Sequence, residues 1–144
     1  MLLFLFPEIQ EEEGEVKYLG DLENHSHMIR GQVYSINDNK IFIKNFTYDG
    51  KGPDAFFWVG TEGSLPSENG ILLPHPFSGK FYDYNDRDAP KLKKSDGNEP
   101  ITLTLPDSVK TSELKWISVW CRRFKVNFAD LILLQNGNND LPRQ

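Results

Sequence analysis

Ile101-Thr102-Leu103-Thr104-Leu105 alternates apolar and hydroxyl side chains without a break, and Pro106-Asp107 ends it. Period-two alternation puts the leucines and isoleucine on one face and the threonines on the other, the pattern of a half-buried strand. Short β-forming runs bounded by turn residues recur along the chain. Met28 to Ile36 (MIRGQVYSI) sets Met28, Val33 and Ile36 among polar neighbours, with Gly31 suggesting a bulge. Asn37-Asp38-Asn39-Lys40 is a tight turn, and Ile41 to Phe46 (IFIKNF) is the returning strand, so a β-hairpin is expected over about residues 28–47. Ala55 to Gly60 (AFFWVG) is apolar on both faces and predicts a central or covered strand.

Ile71 to Leu73 predicts a short strand stopped by Pro74. Residues 75–100 are polar and turn-rich, long for a loop of a compact domain, and a small strand is expected within them at Lys80–Tyr84. Thr111 to Leu114 suits one helical turn. In Lys115 to Cys121 (KWISVWC), Trp116, Ser118 and Trp120 point one way and Ile117, Val119 and Cys121 the other. Arg122 to Lys125 turns the chain into a last strand at Val126–Leu134. The sum is about seven to eight short strands with turns about every ten residues, which predicts an all-β fold: a single β-sandwich or flattened barrel. Composition agrees, since only three of the 144 residues are Ala, against eighteen aromatics and twenty Gly or Pro. Such a mixture favours strands and turns over a helical bundle.

The ends read differently from the middle. Leu2 to Phe6 is an apolar run with no Lys or Arg before it, too short for a complete signal peptide, which has about 7–15 apolar residues. Glu8, Glu11, Glu12, Glu13 and Glu15 follow, so residues 1–17 are expected to be an acidic, flexible leader. Residues 18–134 form the expected β domain, and residues 135–144 a frayed tail. No stretch approaches the roughly 20 apolar residues of a transmembrane helix. With a net charge of −5 no nucleic-acid partner is expected, and the Lys91, Lys93, Lys94 group is weak support for one. Asn24-His25-Ser26 and Asn45-Phe46-Thr47 are glycosylation sequons, the second placed inside a predicted strand that would limit access.

Cys121 is the only cysteine, which excludes an internal disulfide and a cysteine-rich zinc site. Two readings of it stand. Its place in an apolar strand makes a buried, inert thiol; Arg122 and Arg123 directly after it are cations that favour the reactive thiolate. His25 and His27 would share a face on a strand and form a weak metal pair, with Asp21 or Glu23 as local ligands; packing is the stronger reading, and no metal is assigned. Asp49 and Asp54 flank a Gly-rich loop and suit side-chain caps of turns better than a calcium or acid–base pair. Among the aromatics Phe56, Phe57, Trp58, Phe77, Phe81, Tyr82 and Tyr84, the last two are the best candidates for an exposed sugar-stacking pair. No nucleophile elbow, Ser-His-Asp spacing or dinucleotide fingerprint occurs, which removes support for a hydrolase or dehydrogenase.

The runs His27-Met28-Ile29-Arg30-Gly31-Gln32-Val33-Tyr34, then IKNFTYDGKGPDAFFWVG over 43–60, Leu103-Thr104-Leu105-Pro106, and WISVWCRRF over 116–124 resemble the DM-thirteen domain of Skeletor- and Knickkopf-type proteins. The resemblance covers about Tyr18 to Leu134, most of the chain. It implies an all-β domain, extracellular or membrane-associated, set in a longer protein beside domains such as DOMON. It also implies a redox or electron-transfer role at the cysteine corresponding to Cys121, and settings such as insect cuticle and chitin-containing matrix. No cofactor follows from it. A non-catalytic module binding chitin or matrix protein, with Tyr82 and Tyr84 in contact, is the alternative.

Overall fold

The structure, a computed structural model, describes residues 15–133. Ten strands are present there: β1 Lys17–Asp21, β2 Glu23–Asn24, β3 Arg30–Asn37, β4 Lys40–Tyr48, β5 Ala55–Gly60, β6 Ile71–Leu73, β7 Ser95–Asp96, β8 Ile101–Thr104, β9 Trp116–Cys121 and β10 Val126–Ile132. A single 3₁₀ turn lies at Thr111–Glu113. All pairings are antiparallel. One sheet runs β1-β3-β4, with β7 and β8 both pairing β4; the other runs β2-β10-β9-β5-β6. The sheets do not close on each other, so the architecture is a β-sandwich and not a flattened barrel.

The inner faces supply the core. Val33, Ile41, Ile43, Phe46 and Leu103 from one sheet meet Phe57, Val59, Ile117, Val119 and Cys121 from the other, all at or near zero exposure. Removing such apolar surface from water contributes about 25 cal/mol per Å² and outweighs any single polar contact described below. In β4 the alternation slips: Lys44 and Asn45 are exposed in succession before Phe46 turns in. Asn45 takes φ 57°, a conformation that asparagine tolerates, and its Nδ2 donates to Gln32 Oε1 at 2.6 Å. The bulge therefore leaves Asn45 exposed, contrary to the limited access expected of a strand position. Met28 also departs from expectation: it precedes β3, takes φ 57° and is 72% exposed.

The second sheet has another apolar layer on its outside. Phe56, Trp58, Trp116 and Trp120 point away from the sandwich core and form a separate buried cluster with Leu72 and Ala89. No strand forms at Lys80–Tyr84; the turn-rich chain after Pro74 instead lies over this cluster, with Tyr82 and Tyr84 packed on it. Its backbone is tied down by Leu92 N–H donating to Ala55 O at 2.8 Å. All six residues of β5 are consequently buried. Close approach of the indoles is possible because Gly60 lacks a Cβ, which would lie 2.1 Å from the Trp116 ring.

Candidate functional site around Cys121 and Arg122

β9 runs through the middle of its sheet, between β5 and β10, and ends at Cys121. Strand alternation sends the Cys121 side chain into the core with Ile117 and Val119, where its exposure is 0%. Tyr48, the last residue of β4, lies in the same core, and its phenol is within electrostatic reach of the thiol. Burial pushes the Tyr48 phenol above its ordinary pKa. The Gly52 N–H, donating to its oxygen at 3.0 Å, pulls the other way, and Asp49 and Cys121 push it up further.

The next side chain goes to the opposite face. Arg122 Nε and Nη2 donate to the two oxygens of Asp54 at 2.9 and 3.2 Å, and Nη1 donates to the carbonyls of Tyr84 and Asp86, both at 3.0 Å. The guanidinium also stacks over the Phe56 ring, 4.6 Å from its centroid. A planar fork matched to a carboxylate is the strong form of this contact. All of these bonds lie on the side of the strand away from the sulfur. Asp54 anchors Arg122, with Lys91 Nζ at 3.7 Å as a second cation, and among the described residues no turn N–H is seen to donate to its carboxylate. This ion pair was missed by sequence reasoning, because nothing local links two residues 68 positions apart.

Asp49 does cap its turn, since its Oδ1 accepts the Lys51 N–H at 2.8 Å. That hydrogen bond holds the Asp49 carboxyl below the usual aspartate range; burial opposes the shift, and His27 adds to it. His27 Nδ1 lies 3.0 Å from Asp49 Oδ1, with its ring against Phe128. His25 goes elsewhere, to Asp130 at 3.5 Å, with Glu23 close enough to form a three-residue group of possible ligands. The two histidines lie outside the strands and do not converge on one metal position.

Tyr84 is half-buried, its ring edge-on to Trp58 with centroids 5.2 Å apart and its hydroxyl near Arg122 O. Tyr82 is also half-buried, beneath Lys80 Nζ at 4.9 Å. The two do not stand out as a paired aromatic strip. Trp120 stacks on Trp58 with centroids 6.1 Å apart, and its buried Nε1 has no hydrogen-bond partner among the described residues. Arg123 is exposed and lines a pocket with Arg87, Lys91 and Lys125.

A two-sheet sandwich carrying one buried thiol at the end of a central strand is the class this geometry defines. The sequence profile described as electron transfer DM13 matches residues 21–133, and the chain belongs to the DM13 family. Protein Skeletor of Drosophila melanogaster is similar: isoforms B/C and isoforms D/E are each 34% identical over 125 residues, or 87% of this chain. The chain spans only 14% and 8% of the lengths of those relatives, so the matching region is one part of a much longer polypeptide there. No solved structure matches the chain significantly. Among the described residues no helix is long and apolar enough to cross a membrane.

Proposed function

We propose that this domain serves as an electron-transfer module of a longer, extracellular, matrix-associated protein, with Cys121 as its redox group. The observation on which the reading rests is that Cys121 is the one thiol of the chain; its full burial at the end of a central strand is the setting of an inert thiol towards direct attack, and leaves electron exchange through the protein as the redox route. The description of the family as electron-transfer supports it. With no second cysteine in the chain there is no resolving thiol, so the redox partner is another domain or molecule.

Burial selects the kind of exchange. Attack on or by a disulfide needs the sulfur to be reached directly, which would require the sandwich to open. Electron exchange across packed side chains does not. The oxidant lies outside this chain: a haem- or metal-bearing domain, DOMON being the candidate partner, would take one electron from Cys121, and because the sulfur is enclosed the thiol proton would leave through a transient opening of the core; reduction returns both. The chain is mixed with the haem-bearing domain, and reduction of the haem is followed after rapid mixing. Replacing Cys121 with Ala should abolish the transfer. Equal rates for the Cys121→Ala variant and the parent would sink the proposal.

A further inference from the structure

The charged pocket beside Arg122 has an imbalance that the ion pairs do not remove. It is an open concavity of about 610 Å³ between the turn after β9 and the chain that covers the outer cluster, with Arg87, Lys91, Arg122, Arg123 and Lys125 in its lining and Asp54 as the one acidic group there. The lining residues themselves are five cations and one carboxylate; counting Glu68, which pairs with Lys125 from beyond the lining, the excess is +3, and Asp86 and Asp88 flank Arg87 in the chain. Asp54 is already taken up by Arg122 through two hydrogen bonds. Lys125 leans to Glu68 at 3.1 Å on the outside. Arg87 and Arg123 are exposed and make no ion pair among the described residues. Cations gathered in a concavity repel one another, and a bound anion relieves the repulsion.

We propose that this pocket binds a small ligand carrying phosphate or sulfate groups, a property separate from any redox role of Cys121. Two free guanidinium groups offer forked donors suited to tetrahedral oxyanions, and Lys91 and Lys125 add point charges. The Arg122–Asp54 pair and Tyr84 belong to the same lining. The volume falls within the range of about 300–1,000 Å³ typical of small-molecule pockets, and the site is concave, not a stripe along which a nucleic-acid strand would run.

Calorimetric titration of the full chain with pyrophosphate and, separately, with a disulfated disaccharide tests this. Saturable one-to-one binding of either is expected, weakened at least about tenfold by Arg123→Ala or Arg87→Ala and by added sodium chloride. These exposed arginines make no ion pair among the described residues, so their loss should leave thermal unfolding unchanged. Lys44→Ala, on an exposed position of β4, should leave binding intact. Which probe binds tells a phosphate ligand from a sulfated sugar. Absence of saturable binding by both, retention in both arginine variants, or equal loss in Lys44→Ala overturns the proposal. So does binding of a long sulfated polysaccharide when neither small probe binds.

Discussion

Arg122 and Asp54, 68 residues apart in the chain, close a forked ion pair at 2.9 and 3.2 Å at the junction of three segments. The guanidinium belongs to the turn after β9, the carboxylate stands just before β5, and the remaining donors hold the chain at Tyr84 and Asp86. Both side chains are largely buried, at 13% and 9% exposure. Breaking such a pair from one side costs about 3–5 kcal/mol when the other charge is left with no partner. Asp54 keeps Lys91 Nζ at 3.7 Å, so Arg122→Ala should lower unfolding free energy by less than that amount in urea titration. Asp54→Asn should cost less, because an amide oxygen still accepts one of the two bonds. An unchanged midpoint for Arg122→Ala would show that the pair contributes nothing.

The Cys121 thiol is enclosed by the core, so a disulfide reagent should meet it only when the sandwich opens. The expected result is negligible labelling of the native protein at neutral pH and full, rapid labelling in denaturant. Rapid labelling under native conditions would contradict the enclosed position.

Asp49 gives a pH signature whose sign is fixed. Its folded pKa is lowered, first by the Lys51 N–H and further by His27. The carboxylate's contribution to stability is thus complete above the ordinary aspartate pKa of about 3.9 and is lost as pH falls through the lower, folded value. Replacing Asp49 with Asn should flatten the loss of stability on acidification in that range. Parallel acid-unfolding curves for the two proteins would argue against the coupling.

Gly60 faces the Trp116 ring so closely that a methyl group has no room, with the nearest ring atom at 2.1 Å. Gly60→Ala must displace a fully buried indole, and overpacking of this kind typically costs about 1–3 kcal/mol. A drop in thermal midpoint with altered tryptophan fluorescence is expected; a variant with native fluorescence and midpoint would refute the packing.

Local pattern carried much of the sandwich. The hairpin of β3 and β4, the alternation of β8 and the division of β9 into two faces all follow from side-chain period, and the folded chain keeps them. What the sequence did not reveal depends on distant partners. β1 and β2 hold few apolar residues and exist because β3 and β10 pair with them. The alternation at Lys80–Tyr84 suggested a strand, but Tyr82 and Tyr84 are drawn onto the outer tryptophan layer while Phe81 packs on the main core, and no sheet edge pairs with that backbone. At the site, Cys121 and its inward direction were legible in WISVWC. The fate of the arginine beside it was not, because the carboxylate that claims its charge lies in a loop far earlier in the chain.

Covering β5 on both sides has a consequence for what substitutions the domain can absorb. Along β3, residues such as Gln32 and Tyr34 alternate with buried ones, so every second position is open to change. β5 has no outward-facing position at all. A polar scan through Ala55–Gly60 should find no permissive site, while the same scan through β3 should find one at every other step. Together with β9, likewise buried at every residue, β5 thus has the least room for variation, held by its two coats.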